Sequence, residues 1–202
     1  PFACETSLYV QKIRDFLDYQ PKIVPGKGLL PVEGAREIEL QGVSFAYGRE
    51  EENQLQDISL HIKPGQKIAL VGYNGAGKTT LVKLLMRLYD VGAGKILADG
   101  VDIREYQVDK YRESIGTVFQ DKIFAGTVRE NVLMDVADGC EEEPVRQALS
   151  ESGLLERVQE MKEGLDTPLT TEIMENGMNL SGGESQKLAI ARVFYQKAGL
   201  MI

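Results

Sequence analysis

At 202 residues the chain is long enough to bury a sizeable core, as one large domain or two small ones. A hydrophobic share of 43% beside 27% charged residues is ordinary for a soluble globular protein, and a net charge of −8 argues against a broad nucleic-acid surface, which would be basic. Cys4 and Cys140 stand far apart and unpatterned, which excludes a disulfide framework or zinc site and points to a reducing compartment; no apolar run reaches the roughly 18 residues of a membrane span.

Residues 6–19 predict an amphipathic helix, with Tyr9, Ile13, Phe16 and Leu17 on one face and Lys12, Arg14, Asp15 and Asp18 largely elsewhere. Periodicity stops from Pro21 to Gly34, where Pro25, Gly26, Gly28 and Pro31 give a linker composition. The organisation expected is a helix over 1–20, a linker over 21–36 and one domain over 37–202. The chain shows no secretory signal and does not begin with Met, so both ends read as cut. Residues 37–47 alternate through Ile38, Leu40, Val43 and Phe45, as a strand with one buried face does. Residues 54–62 read as a second strand with His61 facing solvent, followed by a turn at Lys63-Pro64-Gly65-Gln66.

Residues 67–71 (Lys67, Ile68, Ala69, Leu70, Val71) form a short apolar run of the kind a buried parallel strand carries. Gly72-Tyr73-Asn74-Gly75-Ala76-Gly77-Lys78-Thr79-Thr80 follows and fits G-x-x-x-x-G-K-[ST], the phosphate-binding loop. Gly72, Gly75 and Gly77 let the backbone curl so that successive N–H groups point at phosphate oxygens. Lys78 can reach the β- and γ-phosphates, and the Thr79 hydroxyl can ligate Mg²⁺. Behind the loop Leu81, Leu84, Leu85 and Leu88 recur at helical spacing, and the start of that helix adds donors and a positive dipole end. Strand, glycine loop and helix together predict a nucleotide site.

Residues 95–99 and 101–103 read as a strand pair around Gly100, 108–113 as a helix, and 115–119 as a buried strand ending at Gln120. Beyond it the chain turns helical. Thr127 and Glu130 form a capping-box pattern. Glu141-Glu142-Glu143-Pro144 starts a helix, with acids at the positive end of its dipole and Pro in the first turn. Residues 154–161 read as a short helix, 165–179 as a loop and 184–196 as a helix. Between the last two lies Leu180-Ser181-Gly182-Gly183-Glu184. Ser181 and Glu184 make a second capping box, but two glycines are odd for that task; they leave Ser181 Oγ and bare N–H groups for an anion. Gly199 opens a new apolar strand.

Together these motifs resemble the nucleotide-binding domain of ATP-binding-cassette (ABC) transporters, over residues 38–202. Leu180-Ser181-Gly182-Gly183-Glu184 matches the family's signature motif. Phe45-Ala46-Tyr47 resembles the loop whose aromatic stacks on adenine, and Phe119-Gln120-Asp121 the Q-loop. Residues 171–177, with Glu175 at the acidic position, resemble the exporters' cross-communication loop, and 188–192 the helix after the signature. The chain departs from the pattern with Glu184 where Gln is common, Lys187 where Arg is common and Met174 where Gly is usual. The family's Mg-holding Asp, general-base Glu and switch His would lie beyond Ile202, and His61 is not that histidine. The expectation is a chain that binds nucleotide and hydrolyses it poorly or not at all.

The resemblance implies an α/β fold: a P-loop NTPase core with a mostly parallel sheet, an antiparallel β subdomain toward the N-terminus, and a helical signature subdomain over 127–196. It implies ATP and Mg²⁺ as cofactors, with Thr79 and Gln120 at the metal. Tyr47, the loop from Gly72 to Thr80, and Gln120 would form one face of the site. Ser181, Gly182, Gly183 and Glu184 would form the other, in trans, from a second such domain paired head to tail. The first helix resembles the cytoplasmic extension of a last transmembrane helix. That implies an exporter, transmembrane domains as partners, a place on the cytoplasmic face of a cell membrane, and no nucleic acid. The alternative is a soluble ABC-type ATPase acting on nucleic acid or ribosomes. A phosphate-loop GTPase would carry Asn-Lys-x-Asp, which is absent, and a small-molecule kinase leaves the signature unexplained.

Overall fold

The computed structural model describes residues 2–18, 23, 26–48, 54–118, 123–135, 141–170 and 177–202, with the backbone alone for 2–8. Gln120 with its neighbours Phe119 and Asp121, Cys140, and residues 171–176 with Glu175 lie outside the described residues. Helix α1 (Phe2–Leu17) realises the first predicted helix, and its apolar face is open: Tyr9, Ile13, Phe16 and Leu17 are 59–79% exposed. Among the described residues no helix is long and apolar enough to cross a membrane.

The next elements build an antiparallel sheet. β1 (Ile38–Phe45) lies between β2 (Leu55–Ile62) and β3 (Ala93–Ala98), and β4 (Val101–Asp102) extends the sheet from β3. The buried face of β1 runs Ile38, Leu40, Val43, Phe45. The step from Leu40 to Val43 skips the period of two because the register shifts there, with Gly42 at φ 59°. Helix α2 (Lys78–Leu85) packs Leu81, Leu84 and Leu85 into the same core as these strands. Leu88, the fourth leucine of the pattern, lies beyond the helix end and is 41% exposed. Tyr111 on α3 (Val108–Glu113) is fully buried, and its hydroxyl donates to the Leu85 carbonyl at 2.8 Å; burial pushes this phenol far above its ordinary pKa.

The run 67–71 departs from expectation. It is assigned to no strand, and Val71 is 92% exposed, Leu70 42% and Ile68 40%. A parallel strand is buried by strands at both edges and helices on both faces; no described strand pairs with this run. The parallel part of the structure is one short ladder, β5 (Ile115–Gly116) with β8 (Leu200–Met201). So the strand predicted over 115–119 is assigned over its first two residues, and the strand after Gly199 pairs with β5.

A second core forms from β6 (Gly126–Thr127), α4 (Val128–Leu133), α5 (Glu142–Glu151), α6 (Leu155–Gln159), β7 (Pro168–Leu169) and α7 (Gly182–Gln196). Val128, Val132, Leu149, Val158 and Leu188 are its buried centre. β7 falls inside the stretch read as loop, and pairs with β6. The α/β class, the antiparallel subdomain and the helical subdomain follow the sequence reading.

Candidate functional site

The phosphate loop ends where α2 begins. Gly77 is the N-cap, at φ 84° and ψ 1°, with no side-chain cap and no acid in the first turn of the helix. Glycine is required there twice. The backbone is left-handed, and a Cβ would lie 2.6 Å from Leu55 Cδ2 and 3.0 Å from the Gln54 carbonyl, so the loop is seated on the start of β2. Gly75 also turns at positive φ, and the Ala76 N–H closes the turn on the Tyr73 carbonyl at 3.2 Å. Gly72, Tyr73, Asn74, Gly75 and Ala76 are exposed. The first N–H groups of α2 have no partner within the helix, and its dipole puts positive potential at the same place.

The Lys78 ammonium folds back over this mouth, donating to the carbonyls of Gly72 and Tyr73 at 2.8 Å each. Those carbonyls hold it where phosphate oxygens would compete for it. Thr79 is exposed beside it, whereas Thr80 is buried and its hydroxyl lies 3.3 Å from Tyr47 Oη. An ammonium, a helix N-terminus without a cap and an exposed hydroxyl form a donor set that fits a triphosphate with a divalent cation. Gln120, the second residue predicted at the metal, lies outside the described residues.

Tyr47 sits against the first turn of α2 within an aromatic triangle. Its ring centroid lies 5.0 Å from that of Phe45 and 5.2 Å from that of Tyr89, at interplanar angles of 84° and 87°; Phe45 and Tyr89 are 5.5 Å apart. Lys83 Nζ stands 5.4 Å over the Tyr47 ring. Sequence reading singled out neither Tyr89 nor Lys83. Lys83 falls off the leucine face of α2, and no periodicity or motif marks a tyrosine just past the helix end.

The other helix start is built differently. Ser181 caps α7, its Oγ accepting the Glu184 N–H at 3.4 Å. Glu184 Oε2 accepts from the Ser181 N–H and Oγ at 2.8 Å each, and Oε1 accepts from Arg157 Nε at 2.9 Å. The Ser181 backbone bond first, then its hydroxyl and Arg157, hold this carboxyl below the usual glutamate range. Gly182 and Gly183 have no such reason to be glycine among the described residues. Neither is at positive φ, and a Cβ on either would meet none of the described residues within 4 Å. Both are exposed at the helix start. Among the described residues no hydrogen bond or ion pair joins the phosphate loop to residues 181–184, which belong to the other lobe.

Residues 55–202 match the family described as "ABC transporter". The chain is 41% identical over 166 residues to the putative multidrug export ATP-binding/permease protein YgaD of Bacillus subtilis, covering 82% of this chain and 28% of that protein. It is 39% identical over 166 residues to the ATP-dependent lipid A-core flippase of Coxiella burnetii, with the same coverage, 82% and 28%. Among solved structures it resembles a bacterial Atm1-family ABC exporter with ATP bound, at a TM-score of 0.82 and 28% identity over 98% of this chain and 34% of that one. The chain thus spans 28% of the length of each of these two sequence relatives.

Proposed function

This chain belongs to the ABC transporter family, and we propose that it is the ATP-binding domain of an exporter whose whole protein couples ATP binding and hydrolysis to transport across a membrane. The observation that carries the reading is the start of α2, where a glycine cap, no acid and a folded-back lysine leave a positive mouth open to solvent.

Here Lys78 and the N–H groups of the loop and helix bind the β- and γ-phosphates, and Tyr47 stacks on the base. Thr79 and Gln120 hold Mg²⁺, which when bound neutralises charge on the phosphates. A second copy, or a sister domain, presents Ser181, Gly182, Gly183 and Glu184 to the far side of the same nucleotide. Among the described residues nothing requires glycine at 182 or 183, and a bare backbone there suits the approach of a partner's nucleotide, which supports this reading. Nucleotide between the two faces closes the pair and its hydrolysis releases them, a two-state element able to drive membrane domains.

Turnover belongs to the whole protein; these 202 residues supply binding groups and little or no hydrolysis. Relatives named for multidrug export and for flipping a lipid favour an exporter over a soluble ATPase acting on nucleic acid or ribosomes. On this reading α1 continues from a last membrane helix, 21–36 links it to the domain, and the domain lies on the cytoplasmic face.

A thermal melt with and without Mg-ATP, repeated for Lys78→Ala, tests the proposal. Nucleotide at about a hundred times its dissociation constant stabilises the fold by about 2.7 kcal/mol. The shift should appear in the unsubstituted protein and shrink strongly at the same nucleotide concentration in Lys78→Ala. An equal shift in both would remove Lys78 from the site, and none in either would remove the site itself.

A further inference from the structure

We propose that Tyr89 is a positioning residue for nucleotide binding: it fixes the plane in which Tyr47 meets the base. This rests on Tyr47 being the base platform. A tyrosine on a loop just past a strand loses rotamer freedom when a base stacks on it, and that ordering costs affinity unless the ring is already held. Tyr47 is held from several sides. Phe45 and Tyr89 stand perpendicular to it at 5.0 and 5.2 Å, and its hydroxyl lies 3.3 Å from Thr80 Oγ1. Lys83 Nζ lies 5.4 Å over the ring. Tyr47 as a residue stays 39% exposed, so the clamp orients its side chain without burying it.

The two aromatic neighbours differ in what else they do. Phe45 is 6% exposed and belongs to the sheet core, which needs it whatever Tyr47 does. Tyr89 is 39% exposed and lies outside both cores. Its ring contacts are with Phe45 and Tyr47. Thr80 and Lys83 stand on the helix whose first residue is Lys78. The clamp therefore ties the base platform to the element that carries the phosphate cation, and sets the distance between the two ends of the nucleotide.

The test compares dissociation constants of the full-length protein for Mg-ATP and for Mg-tripolyphosphate, which offers phosphates without a base. Tyr89→Ala should weaken ATP by about three- to tenfold and leave tripolyphosphate within about twofold, and Tyr89→Phe, which keeps the ring, should restore ATP. In a Tyr47→Ala background Tyr89→Ala should have no further effect on ATP. Equal weakening of both ligands would overturn the proposal, because Tyr89 would then be supporting α2 and the loop. Unchanged ATP affinity would overturn it too. Lys78→Ala distinguishes failure of the underlying reading: if it leaves both ligands bound as before, the phosphate-loop assignment falls, whatever Tyr89 does.

Discussion

The starts of α2 and α7 are both glycine-rich helix N-termini, and they treat the same electrostatic problem in opposite ways. α2 has a glycine cap, no side-chain cap and no acid in its first turn, so its donors and dipole are left for something else. α7 satisfies itself: Ser181 and Glu184 close each other's orphan groups, and Arg157 balances the carboxylate. An anion arriving at α2 meets unpaired positive potential. One arriving at α7 must share Ser181 with Glu184. The first helix start offers its donors unshared, whereas the second gains from an anion that is already held elsewhere. That asymmetry fits a nucleotide bound first by the loop and then sandwiched.

Gly77→Ala breaks this contrast most directly. Its methyl would lie 2.6 Å from Leu55 Cδ2 with φ at 84°, so a loss of about 1–3 kcal/mol in stability is expected from strain and overpacking, read as a lower thermal midpoint. An unchanged midpoint would mean that the loop is not seated on β2. Acid acts at the other helix. The Glu184 carboxyl is held below its unfolded value, so its contribution is fully present above that value and is lost as pH falls through the lower folded one. Protection of the amides at the start of α7, taken relative to their intrinsic exchange rates, should then fall between neutral and strongly acidic pH, and Glu184→Gln should remove that dependence. If exchange there is as pH-sensitive in Glu184→Gln after correction for intrinsic rates, the carboxylate is not what closes the cap. The smallest effect on stability is expected at Gly183→Ala, within about 0.5 kcal/mol, because a methyl there meets nothing among the described residues. ATP-driven pairing of two copies should nevertheless weaken, as measured by sedimentation; pairing as strong as before would show that no partner approaches Gly183.

What the sequence made legible was local. Both capping boxes, Thr127 with Glu130 and Ser181 with Glu184, are present as read, because a cap is decided by residues three apart. The buried face of β1 was equally plain, even across the bulge at Gly42. Residues 67–71 were not: an apolar run records what a strand could bury, whereas burial itself is decided by the strands that flank it. β7 escaped because a pairing of Pro168–Leu169 with Gly126–Thr127 depends on a distant partner and leaves no periodicity in so short a run. Tyr89 escaped for a related reason. An aromatic placed by three-dimensional packing against Tyr47 carries no spacing rule relative to it.

α7 has a further property that follows from its length and its seat. Fifteen residues make a rod about 22 Å long. Near its C-terminal end Val193 lies where β5 has no side chain; a Cβ on Gly116 would collide with Val193 Cγ1 and fall 3.0 Å from Ala198 Cβ. The helix is thus pressed against bare backbone at one end and packed through Leu188 and Ala191 into the helical core along its length, with Ser181, Gly182 and Gly183 exposed at its start. A tilt of about 5° at that fulcrum carries the Ser181 end through about 1.5 Å, half the length of a hydrogen bond. Because Leu188 and Ala191 bind the helix into its core, a small adjustment in the short parallel ladder would carry the whole helical core along with the far tip.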